Sequence, residues 1–338
     1  KFRYCSLETM LCSERKEFLT FLRVERESQD LIRSDMPFQQ RFPVQHVVDI
    51  ANPLPVNLPQ ALTPFIGREP ELSALGGLLC DSQCLLLTIV GPGGIGKTRL
   101  AIETANQYQE RFPDGVWFVP LAALNSPALL VSAIANAVNI RFQDPTDPQT
   151  QLLRYLCAKK LLLILDNAEH LLEGAGLFTK ILVACPQVKL LVTSRERLNL
   201  HSEWVFEVQG LPVPTNEQVE QMEAYSSVVL FLQSARRVWA GFALREEERQ
   251  WVRNICHTLE GMPLGIELSA AWVGLLSCEE IAKEIEHNID FLAVSMRDLP
   301  ERHRSIRAVF DHSWKRLTVD EQQAMCRLSV FQGGFARE

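Results

Sequence analysis

Hydrophobic positions along the chain follow two regimes. From about residue 85 to residue 208, short apolar runs alternate with longer stretches of helical spacing. After Pro214 only the helical spacing remains. The apolar runs predict strands at 85–90, 116–121, 161–165, 188–193 and 204–208. The run at 161–165 (Leu-Leu-Leu-Ile-Leu) does not alternate, so it is expected to be buried on both faces. Helices are predicted at 97–110, from Ser126-Pro127 to about Val138, at 149–158 and at 169–184. The later helices are expected at 217–239, 245–259, 264–276 and 278–288, with a further helical section from about Ser305. Ser277 with Glu280 and Thr318 with Glu321 form capping boxes. Strands alternating with helices indicate an α/β domain with a parallel sheet, followed by an all-α section.

Upstream of these elements, residues 13–30 carry a helical pattern in which Phe18, Leu19, Phe21 and Leu22 stand among charges. Prolines at 37, 43, 53, 55, 59 and 64 then indicate an extended linker. The expected organisation is a helical piece of an upstream domain (1–35), a Pro-rich linker (36–61), a nucleotide-binding domain (62–214), a helical lid (215–296) and the beginning of a winged-helix domain (297–338). A length of 338 residues suits two or three domains. The chain begins at Lys1 and ends inside a recognisable pattern, so it is expected to be a segment of a longer protein.

Composition narrows the reading. Hydrophobic residues make up 47% and charged residues 22%, a normal soluble balance. The formal net charge of −7 argues against nucleic-acid binding driven by the chain's overall charge. There is no run of 18 apolar residues, so no membrane partner is expected. Nine scattered cysteines without a CxxC pair fit reduced thiols and a cytoplasmic protein. Cys157, Cys185 and Cys256 stand in apolar helical contexts, as small core residues do. Cys80 and Cys84 alone do not make a zinc site.

The chemistry is concentrated at residues 91–98, Gly-Pro-Gly-Gly-Ile-Gly-Lys-Thr, between a predicted strand and a predicted helix. This is the P-loop pattern in its proper context. Gly91, Gly93, Gly94 and Gly96 let backbone N–H groups turn inward around a polyphosphate, with Ile95 inside the loop. The helix adds its positive N-terminal end. Lys97 is expected to reach the β and γ phosphates, and Arg99 follows just beyond the loop. The Thr98 hydroxyl is expected to ligate Mg2+. Asp166, at the tip of the buried strand 161–165, is the second Mg2+ candidate, since a buried carboxylate needs a cation. Arg195 ends Leu190-Leu191-Val192-Thr193-Ser194-Arg195, where an arginine at a strand tip can sense a γ-phosphate, although from these residues alone a surface arginine in a loop is the plainer reading.

Together these elements resemble the STAND class of P-loop ATPases, which includes NB-ARC domains, over roughly residues 58–338. Asn57-Leu58-Pro59 and Leu62-Thr63-Pro64-Phe65-Ile66-Gly67-Arg68-Glu69 look like that family's lead-in segment. The resemblance implies that backbone of Phe65, Ile66, Gly67 and Arg68 lies against adenine. Leu165-Asp166-Asn167-Ala168-Glu169-His170 looks like the bacterial Walker B motif, and Thr193-Ser194-Arg195 like the sensor motif. Leu259-Glu260-Gly261-Met262-Pro263-Leu264 looks like the GxP motif, in which Pro263 packs on the base. From the residues alone, Gly261 and Pro263 also suit a helix stop followed by a helix start. Arg304–Trp314 and 328–335 look like the opening of a winged helix. The resemblance further implies a strand order 2-3-4-1-5, which brings Arg195 and Asp166 to the same phosphates.

One departure bears on catalysis. The family usually places a second acidic residue directly after the Mg2+-binding aspartate. Here that residue is Asn167, and an amide is no general base. Glu169 is the remaining candidate, with Lys97, Asp166 and Arg195 completing the catalytic set. Slow ATP hydrolysis is therefore expected. The leading expectation is an ATP/ADP-controlled switch with Mg2+ as cofactor and self-association on activation, acting in signalling or transcription. A motor or loader ATPase of the AAA type is an alternative, needing fast hydrolysis and an arginine finger from a second copy. A DNA-binding regulator with the ATPase as control module is the third reading. For that reading, Cys12–Leu19 faintly resembles the last helix of a helix-turn-helix domain, and DNA would be held by residues upstream of the chain. A GTPase is disfavoured because no Asn-Lys-x-Asp element follows the P-loop.

Overall fold

The computed structural model describes residues 55–142, 147–215, 221–288, 292, 305–314 and 317–329. The expected helix at 13–30, most of the Pro-rich linker, the first residues of the expected helix 217–239 and residues 330–338 of the expected winged helix lie outside the described residues.

The chain enters the described region extended, as its prolines require. Pro55–Asn57 lies parallel to the edge strand that follows, with Val56 opposite Val116. The Asn57 side chain imitates a strand backbone. Its Nδ2 donates to Phe118 O at 3.1 Å while its Oδ1 accepts from the Phe118 N–H. Helix α1 (Glu69–Cys80) comes next and was not expected from the pattern. It buries Leu72, Leu75, Gly76 and Leu79, one face of a helix.

Five strands then form one parallel sheet: β1 (Leu86–Val90), β2 (Val116–Pro120), β3 (Leu162–Asp166), β4 (Lys189–Ser194) and β5 (Glu203–Glu207). Their order is β2-β3-β4-β1-β5, the predicted one. β3 is buried at every position, as its unbroken apolar run implied, whereas β5 is a largely exposed edge. Helix α2 (Lys97–Tyr108) follows β1, and α3 (Leu130–Ala137), α4 (Pro148–Cys157) and α5 (Gly176–Ala184) connect the remaining strands. One apolar cluster gathers α3, α4 and α5 residues such as Ile134, Leu156 and Phe178. A second gathers Leu75, Leu100 and Ala105 from α1 and α2. The sheet therefore carries helices on both faces, an α/β fold with β4 between β1 and β3.

The predicted helix 169–184 is corrected. Asn167 takes a left-handed conformation (φ 68) and reverses the chain at the end of β3. Two 3-10 turns follow, Ala168–His170 and Leu172–Gly174, and only α5 is α-helical. The His170 ring lies 2.9 Å from Leu124 O, a tertiary contact that helical spacing does not register.

Beyond the sheet the described residues are helical: α6 (Ser226–Val238), α7 (Glu246–Thr258), α8 (Pro263–Ala270), α9 (Cys278–His287), α10 (Ile306–Trp314) and α11 (Val319–Leu328). Both capping boxes form, at Ser277–Glu280 and Thr318–Glu321. The predicted helix 264–276 stops at Ala270 and continues as turns. Among the described residues, no helix is long and apolar enough to cross a membrane.

Two backbones meet where the sheet gives way to the helices. Leu211 N–H donates to Gly261 O at 2.9 Å. A Cβ on Gly210 would stand 1.8 Å from Glu260 O, and one on Gly261 would stand 2.0 Å from Leu211 O. Only glycine permits this approach; α7 ends through Glu260 in the left-handed region (φ 49) and Gly261 at φ 67, whose N–H donates to Cys256 O at 3.0 Å.

Candidate nucleotide site

The site forms at the carboxyl ends of β1, β3 and β4. β1 delivers the chain into the loop 91–96, and Gly96 in the left-handed region (φ 95) starts α2. No side chain caps α2 and its first turn holds no acidic residue. Its leading N–H groups and positive dipole end are thus left for an anion. The Lys97 ammonium folds over its own loop, donating to Gly91 O at 2.7 Å and Pro92 O at 3.0 Å. Burial pushes the Lys97 pKa down to about 8. Glu169 pulls it upward, Arg195 lowers it, and Asp166 raises it.

Because β4 lies beside β3 with Leu165 opposite Val192, the next residues along, Asp166 and Thr193, adjoin each other. The Asp166 carboxylate is 5% exposed, and its Oδ1 accepts two hydroxyls: Thr98 Oγ1 at 2.6 Å and Thr193 Oγ1 at 2.7 Å. Thr193 Oγ1 in turn accepts the Asn167 N–H at 2.9 Å. The expected pair, Thr98 and Asp166, is thereby brought together. Hydroxyl and carboxylate oxygens are the hard donors that Mg2+ takes, so the residues present fit that ion.

Glu169 and Arg195 are also brought together. Arg195 Nε lies 3.1 Å from Glu169 Oε1, and the two side chains are 15% and 1% exposed. The Asn167 side chain points elsewhere, with its Nδ2 3.5 Å from the His170 ring.

The lead-in segment is fastened by two arginines. Arg68, buried and in the left-handed region (φ 69), donates to Ile95 O at 2.9 Å and Gln209 O at 3.0 Å. Arg99 donates to Thr63 Oγ1 at 2.9 Å, Thr63 O at 2.6 Å and Pro64 O at 2.9 Å, with its guanidinium 5.9 Å from the Phe65 ring centroid. Phe65 and Ile66 are partly buried, and a Cβ on Gly67 would collide with Ser226. The Ile95 side chain belongs to the core, so this residue offers the loop its backbone. Gly93 lies in the turn of the loop. Pro263 stands over Gly96, its Cγ 3.9 Å from where a Cβ would be. Beside it, Leu264 N–H donates to Gly94 O at 3.2 Å. Sequence reasoning missed the Thr193 hydroxyl, the Arg68 ties and the Leu264–Gly94 bond. Only the first had a signal, a Thr one residue past the point where β4 meets the end of β3.

A family model, the AAA domain, matches residues 80–199, the stretch from the P-loop strand through β4. The uncharacterized protein Rv0894 of Mycobacterium tuberculosis (strain ATCC 25618 / H37Rv) is 32% identical over 275 residues, covering 81% of this chain and 67% of that protein. A protein of the same strain provisionally named HTH-type transcriptional regulator Rv0890c is 36% identical over 255 residues. That match covers 75% of this chain but 28% of the relative, so the chain spans little more than a quarter of its length. Among solved structures, Cdc6p from Pyrobaculum aerophilum is similar at a TM-score of 0.41 and 18% identity over 64% of each chain, a likeness that carries no functional argument. The loop, the sheet order and the matched domain make this chain a P-loop NTPase, and it belongs to the same family as Rv0894.

Proposed function

We propose that the chain is an ATP/ADP-controlled switch of the STAND type, serving as the control module of a regulatory protein. The observation that carries this reading is the bond from Leu264 N–H to Gly94 O. It joins the first turn of α8 directly to the phosphate-binding loop. A nucleotide that reshapes the loop must strengthen or break that bond, and the helical section follows. Throwing such a switch from 1:99 to 99:1 needs about 5.5 kcal/mol of differential affinity between the closed and open forms.

In this reading Lys97 and the α2 N-terminus hold the phosphates, while Thr98 and Asp166 hold Mg2+. The metal, when bound, neutralises phosphate charge. Thr193 keeps Asp166 oriented. Asn167 cannot accept a proton from water, and Arg195 ties up Glu169, so intrinsic hydrolysis is slow. Phe65–Arg68 and Pro263 flank the adenine. Residues 62–214 form the nucleotide domain, 215–296 the lid and 297–338 the start of a winged helix. The HTH-type name of Rv0890c supports transcription as the output, with DNA bound through a separate domain.

Calorimetry with MgATP and MgADP tests binding, and light scattering in each nucleotide state tests the switch. Heat with both nucleotides, slow multiple turnover and assembly under MgATP alone are expected. Absence of heat, or fast turnover with a monomer in both states at full length, overturns the reading.

A further inference from the structure

Two cysteines on the face opposite α2 stand apart from the nucleotide chemistry. Cys157 ends α4, and Cys185 follows directly on α5. Their Sγ atoms are 2.7 Å apart. A formed S–S bond is about 2.05 Å long, so closure requires less than an ångström of movement. The sulfurs are also held where they are. Cys157 Sγ donates to Ala184 O at 3.1 Å, and Cys185 Sγ donates to Leu153 O at 3.5 Å. Cys157 is exposed and Cys185 is buried, which corrects the expectation that both are core residues.

We propose that Cys157 and Cys185 are a modification site, an intramolecular disulfide formed reversibly by a peroxide-class oxidant. The exposed Cys157 reacts first. Its thiolate sulfur attacks a peroxide oxygen, the O–O bond breaks, and the departing hydroxide takes a proton to leave as water. Cys157 is then a sulfenic acid. The Cys185 sulfur attacks the Cys157 sulfur, the S–O bond breaks, and a second water leaves with the Cys185 proton. Overall two thiols lose two electrons and hydrogen peroxide becomes two waters. A dithiol reductant reverses the bond by exchange. Burial, reinforced by the neighbouring Cys157 sulfur, pushes the Cys185 thiol up, so Cys185 is not the sulfur that meets oxidant first.

The location gives the bond a consequence. The cysteines are 28 positions apart, and the ring they close contains β3 with Asp166 and the turn with Glu169. Oxidation therefore fastens the segment that carries two candidate site carboxylates, independently of whether nucleotide binds.

The test treats the whole native chain with hydrogen peroxide, alkylates free thiols, digests with trypsin without reduction and reads masses. Cleavage at Arg154, Lys159, Lys180 and Lys189 makes the bridge a single linked pair, peptide 155–159 joined to peptide 181–189. The expected result is that pair, two hydrogens lighter than its parts, abolished by dithiothreitol. In Cys185→Ser the pair is lost, and Cys157 proceeds to sulfinic acid or intermolecular dimers. Alkylation of both cysteines after oxidation overturns the proposal. So does a wild-type Cys157 found only over-oxidised, or joined mainly to another cysteine.

Discussion

Thr193→Val isolates the contribution of one hydroxyl at the centre of the site. Valine keeps the shape and the β-branch, so β4 packing is preserved. What disappears is a donor to the Asp166 carboxylate at 2.7 Å and an acceptor for the Asn167 N–H at 2.9 Å. A hydrogen bond to a charged group contributes about 1.5–3 kcal/mol, and a stranded, largely buried donor costs about 1–3 kcal/mol. Thr98 still donates to the same Asp166 oxygen, and Asn167 is only partly buried, so the full sum is not reached. The expected loss is about 2–4 kcal/mol, roughly 30- to 700-fold in the folded-to-unfolded ratio. Thr193→Ser keeps both bonds and loses one methyl, about 1 kcal/mol with its small cavity. Urea unfolding of the nucleotide-free chain, followed by circular dichroism, reads both variants. Val should unfold at clearly lower urea than Ser, with wild type highest. If Val matches or exceeds Ser, the hydroxyl does not organise Asp166 and this account of the site is wrong.

Three further outcomes follow from the same geometry. Arg195→Ala removes the guanidinium that pairs the buried Glu169 carboxylate, an expected loss of about 3 kcal/mol in thermal or urea unfolding; the double variant Arg195→Leu/Glu169→Leu should recover most of it. Gly210→Ala drives a methyl into the Glu260 carbonyl, and a loss of about 2–3 kcal/mol is expected from the forced backbone shift, visible as a lower unfolding midpoint. Lys97→Ala removes the ammonium at the loop and should abolish calorimetric heat with MgATP, while circular dichroism stays unchanged.

Most of the sheet was legible because its strands are short, mainly apolar runs, and β1, β3 and β4 lead into recognisable motifs; β3 ends on Asp166 within a residue of its predicted boundary. The strand order came from the family resemblance, since no linear pattern tells β4 to insert between β3 and β1. Helix α1 was overlooked although Leu72, Leu75 and Leu79 have helical spacing. Gly76 and Gly77 dilute its signal, and Gly76 is there because the Tyr108 ring packs where a Cβ would be. The overlong helix 169–184 shows the opposite failure, where periodicity continues through residues that the left-handed Asn167 and the His170–Leu124 contact hold out of an α-helix. At the site, residue types were readable but pairings were not. Nothing along the chain announces that Arg195 meets Glu169 rather than empty solvent, or that one carboxylate oxygen serves two threonines.

The glycine crossing at Gly210 and Gly261 fastens the start of the helical section to the segment leaving the sheet. With no side chain between them, the two main chains come close enough for Leu211 N–H to reach Gly261 O. Three residues past Gly261, Leu264 makes its own bond to Gly94 O, so the two attachments are neighbours along the chain. The proposed switch would therefore have to release the Leu264–Gly94 bond within three residues of a backbone contact that tolerates no side chain.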